Sequence, residues 1–493
     1  MTDAVVVGSG PNGLAAAVIL ARAGLEVEVY EAADTIGGGC RTGEVTLPGF
    51  HHDLCAGAHP MALASPFFRA FDLAAHGVEL LAPQVSYAHP LDGGRAALAW
   101  RDLEHTVDGL GRDGRAWQRL FGPLVRRWED VVGLIMSDLR HPPLDPMELL
   151  RGRPGIELPL GPRLLEQASP LWNLRFREDL APALLTGVAT HAIRPPRSVA
   201  GAGVSLLLGT LAHVGGWPVP RGGSQAIMDA LADDLKTHGG RVITGHRVDS
   251  LDEFADVRAV LLDIAPAELQ RIATLPARYN FALDRFRYGG AACKVDFALS
   301  GPVPWQARGC ERAGTLHLVG SRAEAVAAEK AVAAGRLADN PYVLAIQPGV
   351  VDPTRAPEGK HTLYTYAHVP NGSTADLTEA VTAQVERFAP GFRDLVLASN
   401  VRTAASMPVY NSNYVGGDIS AGAMTLRQTV FRPAPRWNPY STPMPGVYLC
   451  SSATPPGPGV HGMNGYFAAR HALRTEFGVP TDPFELLTDH WRN

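Results

Sequence analysis

Three glycines near the start of the chain have a spacing that suits the binding of a phosphate group. Gly8, Gly10 and Gly13 lie in the hexapeptide GSGPNG. Glycines at this spacing let the chain turn tightly out of a strand, bring its backbone close to a pyrophosphate and pack a helix against the strand. The three glycines alone are weak evidence, so the elements around them decide whether the turn binds a nucleotide.

The segments on either side of GSGPNG predict the β-α-β unit that such a turn requires. The run Ala4–Val7 is short and β-branched, which is typical of a buried strand. An alanine-rich apolar segment at 14–21 predicts a buried helix, and Gly24 ends it. Residues 27–31 predict a second strand, whose last residue, Glu31, is placed to accept hydrogen bonds from ribose hydroxyls. We therefore predict a nucleotide-binding unit with the pyrophosphate at the helix N-terminus.

Two further glycine-rich segments favour FAD over NAD. The stretch GGGCRT at 37–42 offers backbone N–H groups without side chains in the way, and Arg41 adds a fixed positive charge. Near the end of the chain, a strand predicted at 446–450 leads through PPGPGVHGMNG into a helix predicted over 466–477. The N-terminus of such a helix stabilises negative charge, as on the N1 side of a reduced flavin.

Taken together, GSGPNG, Glu31, GGGCRT and the C-terminal PPGPGVHGMNGYFAA resemble the FAD-dependent phytoene desaturase-like family. Its wider relatives are the amine oxidases and the Rab escort and GDP-dissociation-inhibitor proteins. Within the family the sequence looks most like the group of retinol saturases, carotenoid ketolases and pyridine nucleotide-disulfide oxidoreductase domain 2 proteins. The resemblance spans most of the chain and is most specific at its two ends. One departure is that Gly39 stands where the wider family often has an arginine, and Arg41 follows two positions later.

The resemblance implies an α/β fold, in which a Rossmann-like FAD-binding domain of the GDI and amine-oxidase type is interleaved with an α+β substrate domain. In the middle of the chain, PRGGS at 220–224 precedes a predicted helix and a strand predicted over 241–248. In proteins of this kind the residue at the end of that strand packs on the adenine, and Val248 is the match; an ordinary core valine is the alternative. The FAD-binding domain is assigned to 1–75, 216–288 and 436–493, and the substrate domain to 76–215 and 289–435.

Within the substrate domain, apolar patterns predict one helix over 120–139 and strands at 291–300, 342–347 and 361–368. The residues predicted to hold FAD non-covalently are Gly8, Gly10, Pro11, Asn12, Gly13, Glu31, Gly38, Gly39, Arg41, Val248, Gly462 and Met463.

Three residues are candidates for catalysis. Lys294 lies in a predicted strand shortly before Trp305, where the resemblance to amine oxidases implies a lysine that holds a water near flavin N5. The alternative is a lysine at a sheet edge or paired with a carboxylate. His461 lies in the loop predicted to face the flavin, and His59 follows the second glycine-rich segment. For His59 a structural histidine bonded to backbone is the favoured alternative.

Composition excludes several classes of function. The chain has 493 residues, a net charge of -5 and no basic run, so we expect two to three domains and no nucleic-acid partner. Its five cysteines form no CxxC pair, which excludes a redox dithiol. The same cysteine pattern favours a protein without a metal site, in the reducing environment of the cytoplasm. The first strand leaves no room for a signal peptide. Peripheral membrane contact and a homo-oligomer stay open.

The sequence thus predicts an FAD-dependent oxidoreductase that transfers hydride from a C–C or C–N bond of an apolar substrate to flavin N5. The substrate would be a carotenoid, another isoprenoid or a secondary metabolite. Since a second GxGxxG after a strand and a GDAAH-like stretch are both missing, oxygen, a quinone or a carrier protein is the expected electron acceptor. The alternatives are a flavin-dependent amine oxidase and a non-catalytic, escort-type binding protein of the same fold.

Overall fold

The computed structural model describes residues 2–138 and 160–488 of the chain. Two sheets organise this part, with short two-stranded ribbons beside them. The strands, in chain order, are β1 Ala4–Val7, β2 Val27–Tyr30, β3 Thr42–Gly43, β4 His52–Asp53, β5 Leu80–Leu81, β6 Val85–Leu91, β7 Arg95–Trp100, β8 Val219–Pro220, β9 Arg241–Ile243, β10 Ala259–Leu262, β11 Ala291–Leu299, β12 Ala313–Leu318, β13 Val343–Ile346, β14 His361–Val369, β15 Val396–Arg402 and β16 Val447–Leu449.

The α-helices of the same residues pack on both sheets. They are α1 Pro11–Arg22, α2 Pro60–Ala64, α3 Pro66–Phe71, α4 Leu103–Gly109, α5 Gly114–Arg126, α6 Trp128–Ile135, α7 Leu160–Gln167, α8 Leu180–Ala189, α9 Val199–Val214, α10 Gln225–Thr237, α11 Pro266–Ile272, α12 Ala277–Asp284, α13 Arg322–Ala333, α14 Thr378–Phe388, α15 Met407–Tyr410, α16 Leu426–Phe431, α17 Met463–Glu476 and α18 Pro483–Leu487. Among these helices, none is both long and apolar enough to cross a bilayer.

The first sheet is parallel, with the strand order β16-β10-β1-β2-β9. Helix α1 follows β1 and packs closely on α17, where a Cβ at Gly465 would lie 2.1 Å from the Asn12 carbonyl oxygen. Its residues Asn12 to Ala21 are buried, because α1 lies under the sheet and between other helices. The predicted β-α-β unit is confirmed, and the Rossmann-like fold with it.

The second sheet has the order β15-β11-β14-β13-β12-β6-β7, and its pairs are antiparallel except β12 with β6. Side chains alternate between its two faces. One face is apolar and forms a core with α14, through residues such as Phe297, Leu363 and Val385. The opposite face carries tyrosine, histidine and lysine side chains and is turned towards the carboxyl ends of the parallel strands.

All strands of the parallel sheet come from the segments assigned to the FAD-binding domain, and all strands of the second sheet from the insertions. The strands predicted at 291–300, 342–347 and 361–368 are confirmed as β11, β13 and β14. The domain boundaries themselves stay a prediction.

Two predicted elements differ from the structure. The helix over 120–139 is wrong: α5 ends in a tightened turn at Arg127, whose φ of -127° leaves the helical region, and α6 begins afresh. Leu139 lies outside the described residues. The strand over 241–248 stops at Ile243, because only β9 residues pair with β2, and the chain to Val248 runs without a strand partner.

Candidate active site

A cavity of about 810 Å³ lies between the two sheets. It begins at the carboxyl ends of four parallel strands, where Gly8 follows β1, Glu31 follows β2, Asp263 follows β10 and Ser451 follows shortly after β16. Ligands of open parallel sheets bind at this edge. The cavity then continues to the tyrosine- and histidine-bearing face of the second sheet, and its volume falls in the range of about 300–1,000 Å³ that is usual for small-molecule sites.

The turn between β1 and α1 has the geometry predicted from GSGPNG. Gly8 has φ of +100°, which an L side chain rarely adopts. A Cβ at Gly13 would lie 2.1 Å from the Gly8 carbonyl oxygen, so the helix rests directly on the strand. Gly10 has ordinary φ and ψ angles, but its Cβ would lie 2.6 Å from a carboxylate oxygen of Asp263. Each glycine is therefore required, and the reason at Gly10 is space.

Replacing Gly10 with valine should therefore weaken flavin binding by roughly a hundredfold, about 2.7 kcal/mol. The added carbons meet Asp263 and protrude into the cavity at the turn. The measurement is the flavin dissociation constant of the reconstituted protein. Gly43→Val is the matched control, since Gly43 lies in strand β3 and a Cβ there has no neighbour within 4 Å. Equal flavin affinity in the two variants would refute the role given to this turn.

Glu31 is held firmly at the end of β2. Its Oε2 accepts hydrogen bonds from the Ser9 backbone N–H (3.0 Å) and hydroxyl (2.6 Å), and its Oε1 accepts one from the Ala33 N–H (2.9 Å). The Arg41 guanidinium also donates to Oε1, at 3.1 Å. Arg41 thus neutralises Glu31, besides bonding the Thr35 carbonyl. A ribose contact of Glu31 and a phosphate contact of Arg41 stay predictions, although both residues line the cavity.

The second glycine-rich segment approaches the first turn closely. A Cβ at Gly38 would lie 3.0 Å from the Gly10 Cα, and one at Gly39 would lie 2.2 Å from the Tyr414 hydroxyl oxygen. The Tyr410 hydroxyl donates to the Gly38 carbonyl at 2.6 Å. The segment is thus packed between the GSGPNG turn and two tyrosines that also line the cavity.

These contacts fit a dinucleotide. Asn12 is 2% exposed and lines the cavity, yet its Oδ1 has no hydrogen-bond partner among the described residues, while its amide nitrogen donates to Ser452. A buried polar atom without a partner is costly, so it marks a place for a ligand group. The side-chain-free turn at Gly10 supplies the room next to it. The segments with Gly10, Asn12 and Gly38 would hold the pyrophosphate region of FAD.

Sequence reasoning missed Asp263, which lies at the centre of this edge. Its Oδ2 accepts a hydrogen bond from the Gly13 N–H at 3.0 Å, and it lines the cavity next to Gly10. Burial, with Glu31 as a minor cause, raises the pKa of the Asp263 carboxyl to about 7. The available signal is an acid directly after the short apolar run 259–262, a pattern typical of a buried strand followed by a polar residue at its carboxyl end.

The Asp263 carboxyl should make flavin affinity dependent on pH. Above pH 7 its anion repels a pyrophosphate at the same helix terminus, whereas below pH 7 the neutral acid does not. We expect the flavin dissociation constant to rise roughly tenfold from pH 6 to pH 8. The Asp263→Asn variant should lose this dependence. A dissociation constant that is flat over this range in the wild-type protein would contradict the expectation.

The His461 side chain accepts the first N–H of helix α17. Its Nδ1 accepts a hydrogen bond from the Met463 N–H (3.1 Å), and its Nε2 donates to the Gly457 carbonyl (3.2 Å). Burial lowers its pKa to about 4, so the ring is neutral. His461 lines the cavity, whereas Gly462 and Met463 are not among the lining residues. The His461 side chain thus accepts the Met463 N–H of α17, which the sequence predicts to face the flavin.

His59 lines the cavity between the two sheets. Its Nε2 lies 2.7 Å from the Ser224 hydroxyl, which itself donates to the Ala56 carbonyl. His59 therefore carries its proton on Nε2, and its Nδ1 is a buried acceptor without a partner among the described residues. Burial lowers the pKa of His59 to about 4. It is a neutral hydrogen-bonding group rather than an acid at neutral pH.

Lys294 does not line the cavity. It is 2% exposed, forms an ion pair with Asp296 on the same strand face, and places its ammonium 4.0 Å from the centre of the Tyr364 ring. Tyr364 is the residue that reaches the cavity. Lys294 therefore supports the cavity wall from behind, as in the alternative of a carboxylate-paired lysine, and its predicted catalytic role has no contact with the cavity to support it.

Most of the predicted cofactor and catalytic residues come together in this cavity. Those that line it are Gly8, Gly10, Pro11, Asn12, Glu31, Gly38, Gly39, Arg41, His59, Val248 and His461. Gly13 lies directly behind, where its N–H bonds Asp263.

Comparisons with known proteins agree with this geometry. The chain is 27% identical to pyridine nucleotide-disulfide oxidoreductase domain-containing protein 2 of Rattus norvegicus, over 96% of this chain and 93% of that protein. It is 27% identical to phytoene dehydrogenase of Streptomyces griseus, over 80% and 77%. The structure of wild-type putrescine oxidase bound to putrescine has the same fold, with a TM-score of 0.58, 16% identity and coverage of 97% and 98%.

The sequence model of the flavin-containing amine oxidoreductases matches residues 12–463, which include nearly all of α1, every strand from β2 to β16 and the first residue of α17. The chain belongs to the flavin-containing amine oxidoreductase family.

Proposed function

We propose that the protein is an oxidoreductase with non-covalently bound FAD, which removes a hydride from a C–H bond of an apolar small molecule. The substrate class is isoprenoid- or carotenoid-like, or a related secondary metabolite. Oxygen, a quinone or a carrier protein would take the electrons. The observation that carries the proposal is the continuous cavity that joins the dinucleotide-binding edge to an aliphatic compartment.

The compartment beyond the dinucleotide-binding edge is built for an apolar ligand. Helix α9 contributes small and aliphatic side chains, and β13 contributes two more from the second sheet. The aliphatic lining includes Ile193, Val204, Leu207, Leu208, Leu344 and Ile346. Transfer of an apolar molecule from water to such a surface is favourable by about 25 cal/mol per Å² of buried area.

A bound flavin supplies the hydride acceptor, and the protein supplies position and exclusion of water. Tyr364 and Tyr366 form an edge-to-face pair, with centroids 6.1 Å apart, on the floor of the cavity. The Tyr364 hydroxyl is bonded to the Cys55 carbonyl, and Lys294 lies beneath its ring. This tyrosine is therefore fixed in place and can orient a substrate against the loop of His59.

The lining charges favour C–C over C–N oxidation. Among the described residues the carboxylates that line the cavity are Glu31, Asp263 and Glu268, and all three belong to the FAD-binding segments. An ammonium substrate would enter the aliphatic compartment without a carboxylate, which is unfavourable. Amine oxidation is the second candidate, because the tyrosine pair could flank a neutral amine.

An anaerobic reduction assay separates these candidates. The flavin-loaded protein is mixed with neutral C15 to C40 isoprenoids in one series and with aliphatic amines in another, and bleaching of the flavin is recorded. We expect bleaching with an isoprenoid, and much less with the Gly10→Val variant at the same flavin concentration, because it should bind flavin roughly a hundredfold more weakly. Bleaching by amines alone would favour the second candidate. A flavin-loaded protein that no compound of either series reduces would contradict the proposal and favour the escort-type alternative.

A further inference from the structure

A pair of histidines forms a polar spot in the aliphatic compartment. His191 follows α8 in a short turn, and its Nε2 lies 2.8 Å from Nε2 of His317 on β12. The two rings are nearly perpendicular, and His191 also meets the edge of Trp217 at a centroid distance of 5.3 Å. His191 and Trp217 line the cavity, whereas His317 is fully buried behind them.

The protonation of this pair follows from what surrounds it. Burial lowers the pKa of both rings, so each carries one proton. His317 Nδ1 is buried and has no hydrogen-bond partner among the described residues. His89, on the neighbouring strand β6, donates its own Nε2–H to the Gly320 carbonyl, so its Nδ1 is an acceptor that forms no bond to His317.

A buried N–H without an acceptor is rarer in proteins than a buried acceptor without a donor. His317 therefore keeps its proton on Nε2 and donates to His191. His191 must then carry its proton on Nδ1. No described residue accepts a hydrogen bond from that nitrogen, and the exposed part of the ring opens onto the cavity. The pair thus presents a hydrogen-bond donor to the ligand.

Gly187 lets helix α8 pack directly against His317. A Cβ at Gly187 would lie 2.5 Å from His317 Nδ1 and 2.7 Å from His89 Nδ1, so α8 rests directly on both rings. Thr315, two residues before His317 on the same face of β12, adds a second polar group: its buried hydroxyl lines the cavity and has no partner among the described residues. The His191 N–H after α8 and the Thr315 hydroxyl on β12 are therefore two polar groups that line an apolar compartment without a partner among the described residues.

We propose that His191, held by His317, hydrogen-bonds a neutral oxygen, a carbonyl or hydroxyl, on an otherwise aliphatic substrate. This inference rests on the proposed function and names its substrate class as oxygenated, uncharged isoprenoid-like molecules. A carboxylate does not fit, because the lining arginines Arg41, Arg247 and Arg271 all lie in the FAD-binding segments, among the residues that the structure describes. An ammonium does not fit either, because the presented group is a donor.

Calorimetric titration of the flavin-loaded protein tests this subsite. The probes are farnesol, the acceptor-only ketone geranylacetone and the hydrocarbon farnesene. His191→Phe should weaken farnesol and geranylacetone roughly tenfold and leave farnesene within about twofold, which is the effect of losing one hydrogen bond. His191→Asn, which keeps an N–H near the same place, should retain most of the affinity for both oxygenated probes.

Thr429→Val is the matched control, since Thr429 also lines the cavity but its hydroxyl is already bonded to the Thr425 carbonyl. It should leave all three affinities unchanged. Equal weakening of all probes by His191→Phe, or no weakening of any, would overturn the inference, as would failure of the wild-type protein to bind either oxygenated probe. Should the Phe variant not fold, His191→Leu replaces it. Binding that depends on His191 without any flavin reduction would contradict the proposed oxidation and leave the subsite standing.

Discussion

Lowering the pH from 7 to 5.5 should reduce the free energy of unfolding by about 5 kcal/mol, a large share of the 5–15 kcal/mol that is usual for folded domains. The cause is a set of histidines whose rings are enclosed without charge. Burial lowers the pKa of six of them to about 3 or 4 and that of His317 well below its ordinary value. They are His52, His59, His89, His191, His213, His317 and His461.

The sign follows from linkage between protonation and folding. The unfolded chain protonates each histidine below a pKa of about 6.5, while the folded protein keeps it neutral down to about pH 4. The contribution of these neutral histidines to the free energy of unfolding is therefore fully present above pH 6.5 and is lost as the pH falls towards 4. Each histidine contributes about 1 kcal/mol between pH 7 and 5.5. Asp263, with its pKa raised to about 7, has the opposite effect: its protonation between pH 7 and 5.5 increases the free energy of unfolding by less than about 2 kcal/mol.

Urea unfolding at the two pH values measures this effect. His213→Gln removes one of the seven rings, whose Nε2 accepts from Trp117 and whose Nδ1 bonds the Trp100 carbonyl, and should flatten the pH dependence by about 1 kcal/mol. The control is His105→Gln, because His105 is an exposed residue beside Asp102. A protein equally stable at both pH values would show that these rings are not held neutral by the fold.

Replacing Lys294 with methionine should destabilise the protein by about 3–5 kcal/mol, because it leaves the buried Asp296 carboxylate without its partner. Both side chains are 2% exposed, and burial raises the pKa of Asp296 and lowers that of Lys294 against their mutual attraction. The double variant Lys294→Met, Asp296→Asn should recover most of the loss. The amide that replaces the Asp296 carboxylate can still face His52, whose Nδ1 lies 3.6 Å from that carboxylate in the wild-type protein.

The surface provides a matched comparison for this pair. Lys236 and Asp233 form an ion pair of 3.0 Å on α10, with both side chains more than half exposed. Lys236→Met should change the unfolding free energy by less than about 0.5 kcal/mol. If Lys294→Met behaves like Lys236→Met, or if the double variant is no more stable than the single one, the structural role of Lys294 is wrong.

Local sequence was sufficient to predict the β-α-β unit formed by β1, α1 and β2. The run Ala4–Val7, the glycine spacing and the acid at Glu31 are consecutive, and their packing is decided within some thirty residues. Alternation within β11 also allowed a pairing of Lys294 with a carboxylate, since residues two apart share a face. That alternative, rather than the lysine's resemblance to the amine oxidases, matches the observed contacts.

Other parts of the site depend on contacts between distant segments. Asp263 reaches Gly13 only because β10 pairs with β1, 250 residues apart in sequence. His191 and His317 are 126 residues apart and meet across α8 and the second sheet. Hydrophobic periodicity carries no information on such pairs. The capping of Met463 by His461 depends on a side-chain orientation, which a glycine-rich sequence does not reveal.

The visible absorption spectrum of the purified protein tests the central claim most directly. A flavin is expected in the cavity built from the GSGPNG turn, the GGGCRT segment and the loop of His461. We predict the two absorption bands of an oxidised flavin, with the flavin released when the protein is denatured. Bands that stay with the denatured chain would contradict the non-covalent attachment and direct attention to Cys55, which lines the cavity. A colourless protein that added FAD does not reconstitute would contradict the account as a whole.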